Sequence, residues 1–222
     1  MDIVFWMQEF IRQMQHTFGD RVIFIGLQGS YARGEATSQS DIDIVLLLNN
    51  LSIKDLQRYK QAVGGLPYRE KLCGFVGDKS RLLHWDKADL FQFYHDTVPY
   101  YGSIAYLAAL IQPHDVKRAI QTGACNLYHA CSHNFLHEND PLTLIALYKN
   151  AVFVLQAKHY YETGVYIKAK LALLQALKQE DKAVLSTYLS FKKSNSLDAD
   201  EWIRCSEVLF TWAANLVEQF GA

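Results

Sequence analysis

The run GLQGSYARGEATSQSDIDIVLLL holds the residues whose types and spacing could do chemistry. Asp41 and Asp43 stand two apart, so on a strand both side chains point to one face and their carboxylates can share one or two divalent ions. Hard cations such as Mg²⁺ take oxygen ligands of this kind and fill their remaining positions with water and nucleotide phosphates. Two such ions about 4 Å apart can activate an attacking oxygen and stabilise a leaving pyrophosphate. Upstream, Gly29-Ser30 opens a turn into an expected short helix, Tyr31 to Gly34. Glycine leaves room for a phosphate, and a helix start presents unpaired N–H groups to an anion. The Ser30 hydroxyl adds a donor, Arg33 can meet a phosphate oxygen or brace the acidic strand, and Ser40 can bond a phosphate or cap the turn.

Either part alone is commonplace and would usually be structural. Two aspartates aimed at one face repel each other without a cation, however, and a strand otherwise as apolar as IVLLL gives no reason for them. The whole pattern, G-S-Y-A-R-G, a short polar spacer and S-D-I-D followed by aliphatic residues, resembles the signature of the DNA-polymerase-β-like nucleotidyltransferase superfamily. Within it the pattern is most similar to the minimal branch, like the kanamycin and lincosamide nucleotidyltransferases. The resemblance implies a small mixed sheet flanked by helices, ATP or another nucleoside triphosphate as donor, and a two-ion Mg²⁺ site. By position, Gly29 and Ser30 would grip the phosphates with Arg33 and Ser40 close by, and Asp41 and Asp43 would hold metal. The superfamily usually adds a third carboxylate on a later strand. Asp89, Asp96 and Glu70 are the candidates, and Asp96 is favoured because it stands before the YYG turn at the end of an apolar run.

The elements that must position these groups follow from periodicity. Ile3, Trp6, Met7, Phe10, Ile11 and Met14 form one stripe of an opening helix that ends at Gly19. RVIFIGLQ reads as a buried strand, and DIDIVLLL as a second that begins directly at the two aspartates. SIKDLQRYKQAV reads as a helix with Ser52 as N-cap and Asp55 closing a capping box. KLCGFV suggests a third strand, whereas DLFQFYHD fits either a strand or a helix capped by Asp86. From Pro113 the period is helical: VKRAIQTGACNLYHACSHNFLH, LTLIALYKNAVFVLQAKHYYETG, YIKAKLALLQALK and EWIRCSEVLFTWAANLVEQF, with breaks at Pro141, Gly164 and KKSNSLDAD. The expected class is α+β, with a nucleotidyltransferase-like domain over residues 1–105 and a helical bundle over 106–222.

His129, His133 and His137 recur every fourth residue, with Cys125 one turn earlier, along one face of a helix. A metal site, a polar patch lining an acceptor pocket, and histidines satisfied within a helix interface all fit that spacing, and a general base on an acceptor hydroxyl is a further role. The bundle resembles the substrate-binding or HEPN-like domains of the same superfamily in architecture, but the arginine and histidine of HEPN ribonucleases have no clean counterpart, so ribonuclease activity is not expected. Tyr128, Tyr148, Tyr160, Tyr161 and Tyr166 fit core packing better than a stacking cleft.

A net charge of −1 gives no global basic field for nucleic acid, so no nucleic-acid partner is expected. No apolar run approaches the roughly 18 residues that span a bilayer, and MDIVFWMQEFIRQMQ lacks the positive start of a signal peptide, so a cytoplasmic protein without membrane partners is expected. Cys73, Cys125, Cys131 and Cys205 form no C-x-x-C pair and read as reduced core thiols. The combined expectation is transfer of AMP from ATP onto a hydroxyl of a small, antibiotic-like acceptor. AMPylation of a protein partner and an inactive nucleotide-binding module are the alternatives, and a homodimer is compatible with any of them.

Overall fold

The computed structural model describes residues 1–191 and 197–221. The expected break at KKSNSLDAD therefore lies largely outside the described residues. Contacts divide the chain into two units, Met1–Ile111 and Gln112–Ala222.

The first unit opens with helix α1, Ile3–Phe18, whose N-cap Asp2 accepts from the Val4 and Phe5 amides. Trp6, Met7, Phe10, Met14 and Phe18, which fall along one side of the helix, are buried, each contributing about 2 kcal/mol of apolar burial. They pack on one face of a four-stranded mixed sheet against Ile25, Leu27, Ile42, Ile44 and Leu46. Its strands are β1 (Val22–Leu27), β2 (Ile42–Leu48), β3 (Leu72–Asp78) and β4 (Val98–Tyr101), in the order β3-β2-β1-β4. β1 runs antiparallel to β2 and to β4, whereas β2 and β3 are parallel. The side chains between those of the first face, Phe24, Val45 and Leu47, meet a second core with Leu82, Leu90, Ile104 and Leu107.

Helix α2, Gly29–Ala32, follows β1, and α3, Ile53–Ala62, follows β2 with the Ser52/Asp55 capping box in place. Asp55 also receives both terminal nitrogens of Arg21, at 2.8 and 2.9 Å, which fastens α3 to the start of β1. Helices α4, Lys79–Leu83, and α5, Lys87–Asp96, precede β4. The ambiguous DLFQFYHD is thus helical, because Asp86 caps it by accepting from the Ala88 and Asp89 amides.

The second unit contains α6 (Pro113–His133) continued by a π-helical turn (Asn134–Glu138), α7 (Pro141–Thr163), α8 (Lys170–Ala176), α9 (Gln179–Phe191) and α10 (Ala199–Phe220). In the middle of α7 every residue from Ala151 to Lys158 except Phe153 is buried. Buried Lys158 pairs with Asp181 of α9, which also accepts from Trp212 Nε1 of α10 at 2.8 Å, so one carboxylate joins three helices. The helix expected over YIKAKLALLQALK is shorter than its periodicity, since the Gln156 amide donates to the carbonyls of Ile167 and Lys168 and holds that segment irregular. α9 has no counterpart in the sequence reading.

Candidate functional site

Gly29 ends the tight connection out of β1 with φ of 66°, a left-handed conformation that favours glycine. A β-carbon there would overlap Oδ2 of Asp43 and lie 2.8 Å from its Cγ. The Gln28 amide donates to the Asp43 carbonyl at 2.7 Å. The glycine turn and the second aspartate are therefore in direct contact, with the Asp43 carboxylate standing where a side chain at position 29 would be.

The helical turn runs Gly29–Ala32, not Tyr31 to Gly34 as expected, because the Ala32 and Arg33 amides already return to the carbonyls of Gln28 and Gly29. β2 begins at Ile42, which leaves exposed Asp41 just outside the strand and half-buried Asp43 as its second residue. Arg33 pairs with Glu35, Nε to Oε2 at 3.3 Å. Ser40 Oγ accepts from the Thr37 amide at 2.9 Å and so closes the turn that delivers Asp41. Lys71 Nζ donates to the Ser38 carbonyl and ties the same loop to the start of β3.

Asp43 is in parallel register with Cys73 of β3, so the two side chains share a sheet face. Gly74 follows with φ of 125°, pressed so closely on Ile44 that a β-carbon would overlap its backbone. Cys73 is exposed at this edge strand, as is Cys125 on the outer face of α6. Only Cys131 and Cys205 are buried, which corrects the reading of all four as core thiols. Sequence reasoning missed Cys73 as a site neighbour, since only strand register reveals it.

Asp96 was favoured as a carboxylate on a later strand, but it ends a helix. It is buried, and Gln92 Nε2 donates to its Oδ2 at 3.5 Å. Two residues later Val98 pairs with Leu27, so Asp96 precedes β4 at the sheet edge where β1 turns into Gly29. There a cavity of about 260 Å³ is lined by Gln28, Phe75, Trp85, Asp89, Gln92 and Asp96. Gln28 fixes its wall by donating to Thr97 Oγ1 at 2.8 Å and to the Phe93 carbonyl at 3.3 Å. Glu70 lies in a short 3₁₀ turn, Arg69–Lys71, ahead of β3.

Among the described residues no three His, Cys, Asp or Glu side chains gather closely enough to hold a metal ion alone. Asp41 and Asp43 nevertheless fit a hard cation that takes one or two carboxylates and its remaining ligands from water and phosphate. The lack of a side chain at Gly29 lets the Asp43 carboxylate stand directly against the turn whose amides would meet that phosphate.

The profile of the Nucleotidyltransferase domain family matches residues 7–84, the segment that contains α1, the glycine turn, both aspartates and β3. Residues 7–84 are a nucleotidyltransferase domain. A Methanocaldococcus jannaschii protein provisionally named a protein adenylyltransferase is 41% identical over 54 residues, 24% of this chain and 37% of that protein. The match thus spans little more than a third of that relative's length. The fold, nucleotidyltransferase domain and helical unit together, is similar to that of spectinomycin adenyltransferase AAD(9) from Enterococcus faecialis, solved with ATP and spectinomycin. That likeness has a TM-score of 0.57 at 11% identity and covers 96% of this chain and 98% of the other.

His129, His133 and His137 are exposed, with neighbouring ring centroids 6.3 and 5.0 Å apart. The buried stripe of α6 is Val116, Ile120, Ala124, Leu127 and Cys131, so the histidines lie on the outer face and are not satisfied within a helix interface. Of the five tyrosines expected in the core only Tyr148 is fully buried, donating to the Cys205 carbonyl at 2.8 Å. No helix among the described residues is long and apolar enough to cross a membrane.

Proposed function

We propose that this protein transfers AMP from ATP to a hydroxyl of a small molecule, releasing pyrophosphate. The observation that carries this reading is the contact of the Asp43 carboxylate with the Gly29 turn inside a nucleotidyltransferase domain. Asp41 and Asp43 would hold Mg²⁺, which when bound neutralises the triphosphate and favours departure of pyrophosphate. The Gly29 and Ser30 region would seat the phosphates, while Arg33 and Ser40 shape the loop that carries Asp41. The acceptor oxygen would attack the α-phosphorus as the bond to the bridging oxygen breaks. Its proton would pass to Asp96, one of the two carboxylates, with Asp89, that line the cavity beside Gln28. Phe75 and Trp85, edge to face at 5.6 Å, supply that cavity's apolar wall.

The spectinomycin enzyme supports a small-molecule acceptor through a fold shared over nearly the whole chain. The M. jannaschii match supports a second reading with the same donor chemistry and a protein side chain as acceptor. Incubation with labelled ATP, Mg²⁺ and either hydroxylated small molecules or cell lysate separates the two. Label on a small molecule upholds the first reading, and label confined to protein bands replaces it with the second.

A further inference from the structure

The histidine row on the outer face of α6 takes no part in the chemistry proposed above, and its members are unevenly spaced. α6 ends at His133 and passes into the π-helical turn Asn134–Glu138. In a regular α-helix a residue and the fifth after it point about 140° apart, whereas five residues span about one π turn. Glu138 thereby returns over His133, its Oε1 3.6 Å from Nδ1. Across the same turn the rings of His133 and His137 have centroids 5.0 Å apart, against 6.3 Å between His129 and His133. Single π turns are rare and fall frequently at functional sites. This one is held in place by buried Asn134, whose side chain donates to the Asp140 carbonyl and accepts from the Asp140 amide, both at 3.1 Å. His133, His137 and Glu138 therefore converge on a braced piece of backbone, and all three are exposed.

The distances select one pair from the row. Zinc binds an imidazole nitrogen at about 2.1 Å, which puts each ring centroid roughly 3.2 Å from the ion, so that a near-tetrahedral angle separates two centroids by about 5.2 Å. His133 and His137 stand close to that separation. At 6.3 Å, His129 and His133 would need an angle of roughly 150° at the ion. Glu138 supplies what a ligating histidine ordinarily has, a carboxylate facing its other nitrogen, which fixes the tautomer and leaves Nε2 of His133 for the metal. Imidazole suits Zn²⁺, Ni²⁺ and Cu²⁺, whereas Mg²⁺ takes oxygen. Among the described residues no set of three His, Cys, Asp or Glu could hold an ion, so water fills the remaining positions and the ion stays open to exchange.

We propose that His133 and His137 form a two-histidine chelate for an imidazole-seeking divalent ion such as Zn²⁺, with Glu138 as the positioning residue for His133. The chelate is independent of the nucleotide chemistry of residues 7–84.

Calorimetric titration of the metal-free full chain with ZnCl₂ and with MgCl₂, in the absence of nucleotide, tests it. The expected result is a saturable one-to-one zinc event that Mg²⁺ neither produces nor displaces. His133→Gln and His137→Gln should each abolish that event, and Glu138→Gln should weaken it about tenfold, as loss of a carboxylate behind a ligating histidine does. His129→Gln, Cys125→Ser and Asp43→Asn should leave it intact. The melting profile of the metal-free chain should be the same in all three variants of the exposed turn. Absence of a saturable zinc event, an event that survives His133→Gln or His137→Gln, or one that is lost in His129→Gln, Cys125→Ser or Asp43→Asn would each overturn the proposal, and an affinity unchanged by Glu138→Gln would overturn the part assigned to Glu138.

Discussion

The Asp43 carboxylate lies against the α-carbon of Gly29, so that no residue with a β-carbon fits at position 29 while Asp43 keeps its place. Turn and acid act as one unit. Gly29→Ala should therefore cost more than the roughly 1 kcal/mol expected for a left-handed residue, since the aspartate must also move. We expect pyrophosphate release to fall at least about 100-fold, as misplacement of a catalytic group by about 1 Å suffices for that. Steady-state release with ATP and Mg²⁺, alongside a thermal melt, reads both effects.

Thiol chemistry can report on the same place. Cys73 is exposed in register with Asp43, whereas Cys125 is exposed on α6 in the other unit. Iodoacetamide should label both. Mg²⁺ and ATP should slow labelling of Cys73 by roughly an order of magnitude, through steric cover of the site, and leave Cys125 unchanged. Peptide mass spectrometry distinguishes the two, and equal rates with and without nucleotide would place the triphosphate elsewhere.

Stability against acid should depend on Asp55. Hydrogen bonds from Arg21, then from Ser52, hold its carboxyl well below the usual carboxylate range despite burial. Because the folded chain binds that proton less readily than the unfolded one, the stabilisation is complete above about pH 4 and fades as pH falls towards the folded-state value. Arg21 is partly exposed, which limits the bond's worth. Asp55→Asn should cost about 2 kcal/mol at pH 7 and distinctly less at pH 3, measured by urea unfolding.

The three exposed histidines make the opposite kind of prediction. Replacing His129, His133 and His137 together by alanine should leave AMP transfer unchanged and alter stability by no more than about 0.5 kcal/mol per site. A large loss of kcat would restore a general base on α6.

Much of this site was legible in the sequence because its parts are local. The turn at Gly29 and the pair Asp41 and Asp43 are close in the chain, and the strands that hold them are short apolar runs. The Ser52/Asp55 box was equally visible, being a fixed four-residue pattern. What depends on distant pairing was not. Cys73 joins Asp43 only through parallel register, and Asp96 approaches the glycine turn because β4 pairs with β1. β4 itself, the four residues Val98–Tyr101 with a proline among them, is too brief and irregular for periodicity to mark. The histidine row shows the limit of spacing arguments, since a four-residue repeat defines a face of a helix but not whether that face is inside.

The central claim is that Asp43 beside Gly29 makes this domain a nucleotidyltransferase in activity as well as in fold. The most direct measurement is pyrophosphate release from ATP with Mg²⁺ across a panel of hydroxylated acceptors, comparing the unaltered protein with Asp43→Asn. Release should depend on the acceptor and fall at least about 1,000-fold in the variant, with an unchanged melting profile. Full release by Asp43→Asn would contradict the assignment, and ATP binding with no release under any acceptor would make the protein a nucleotide-binding module instead.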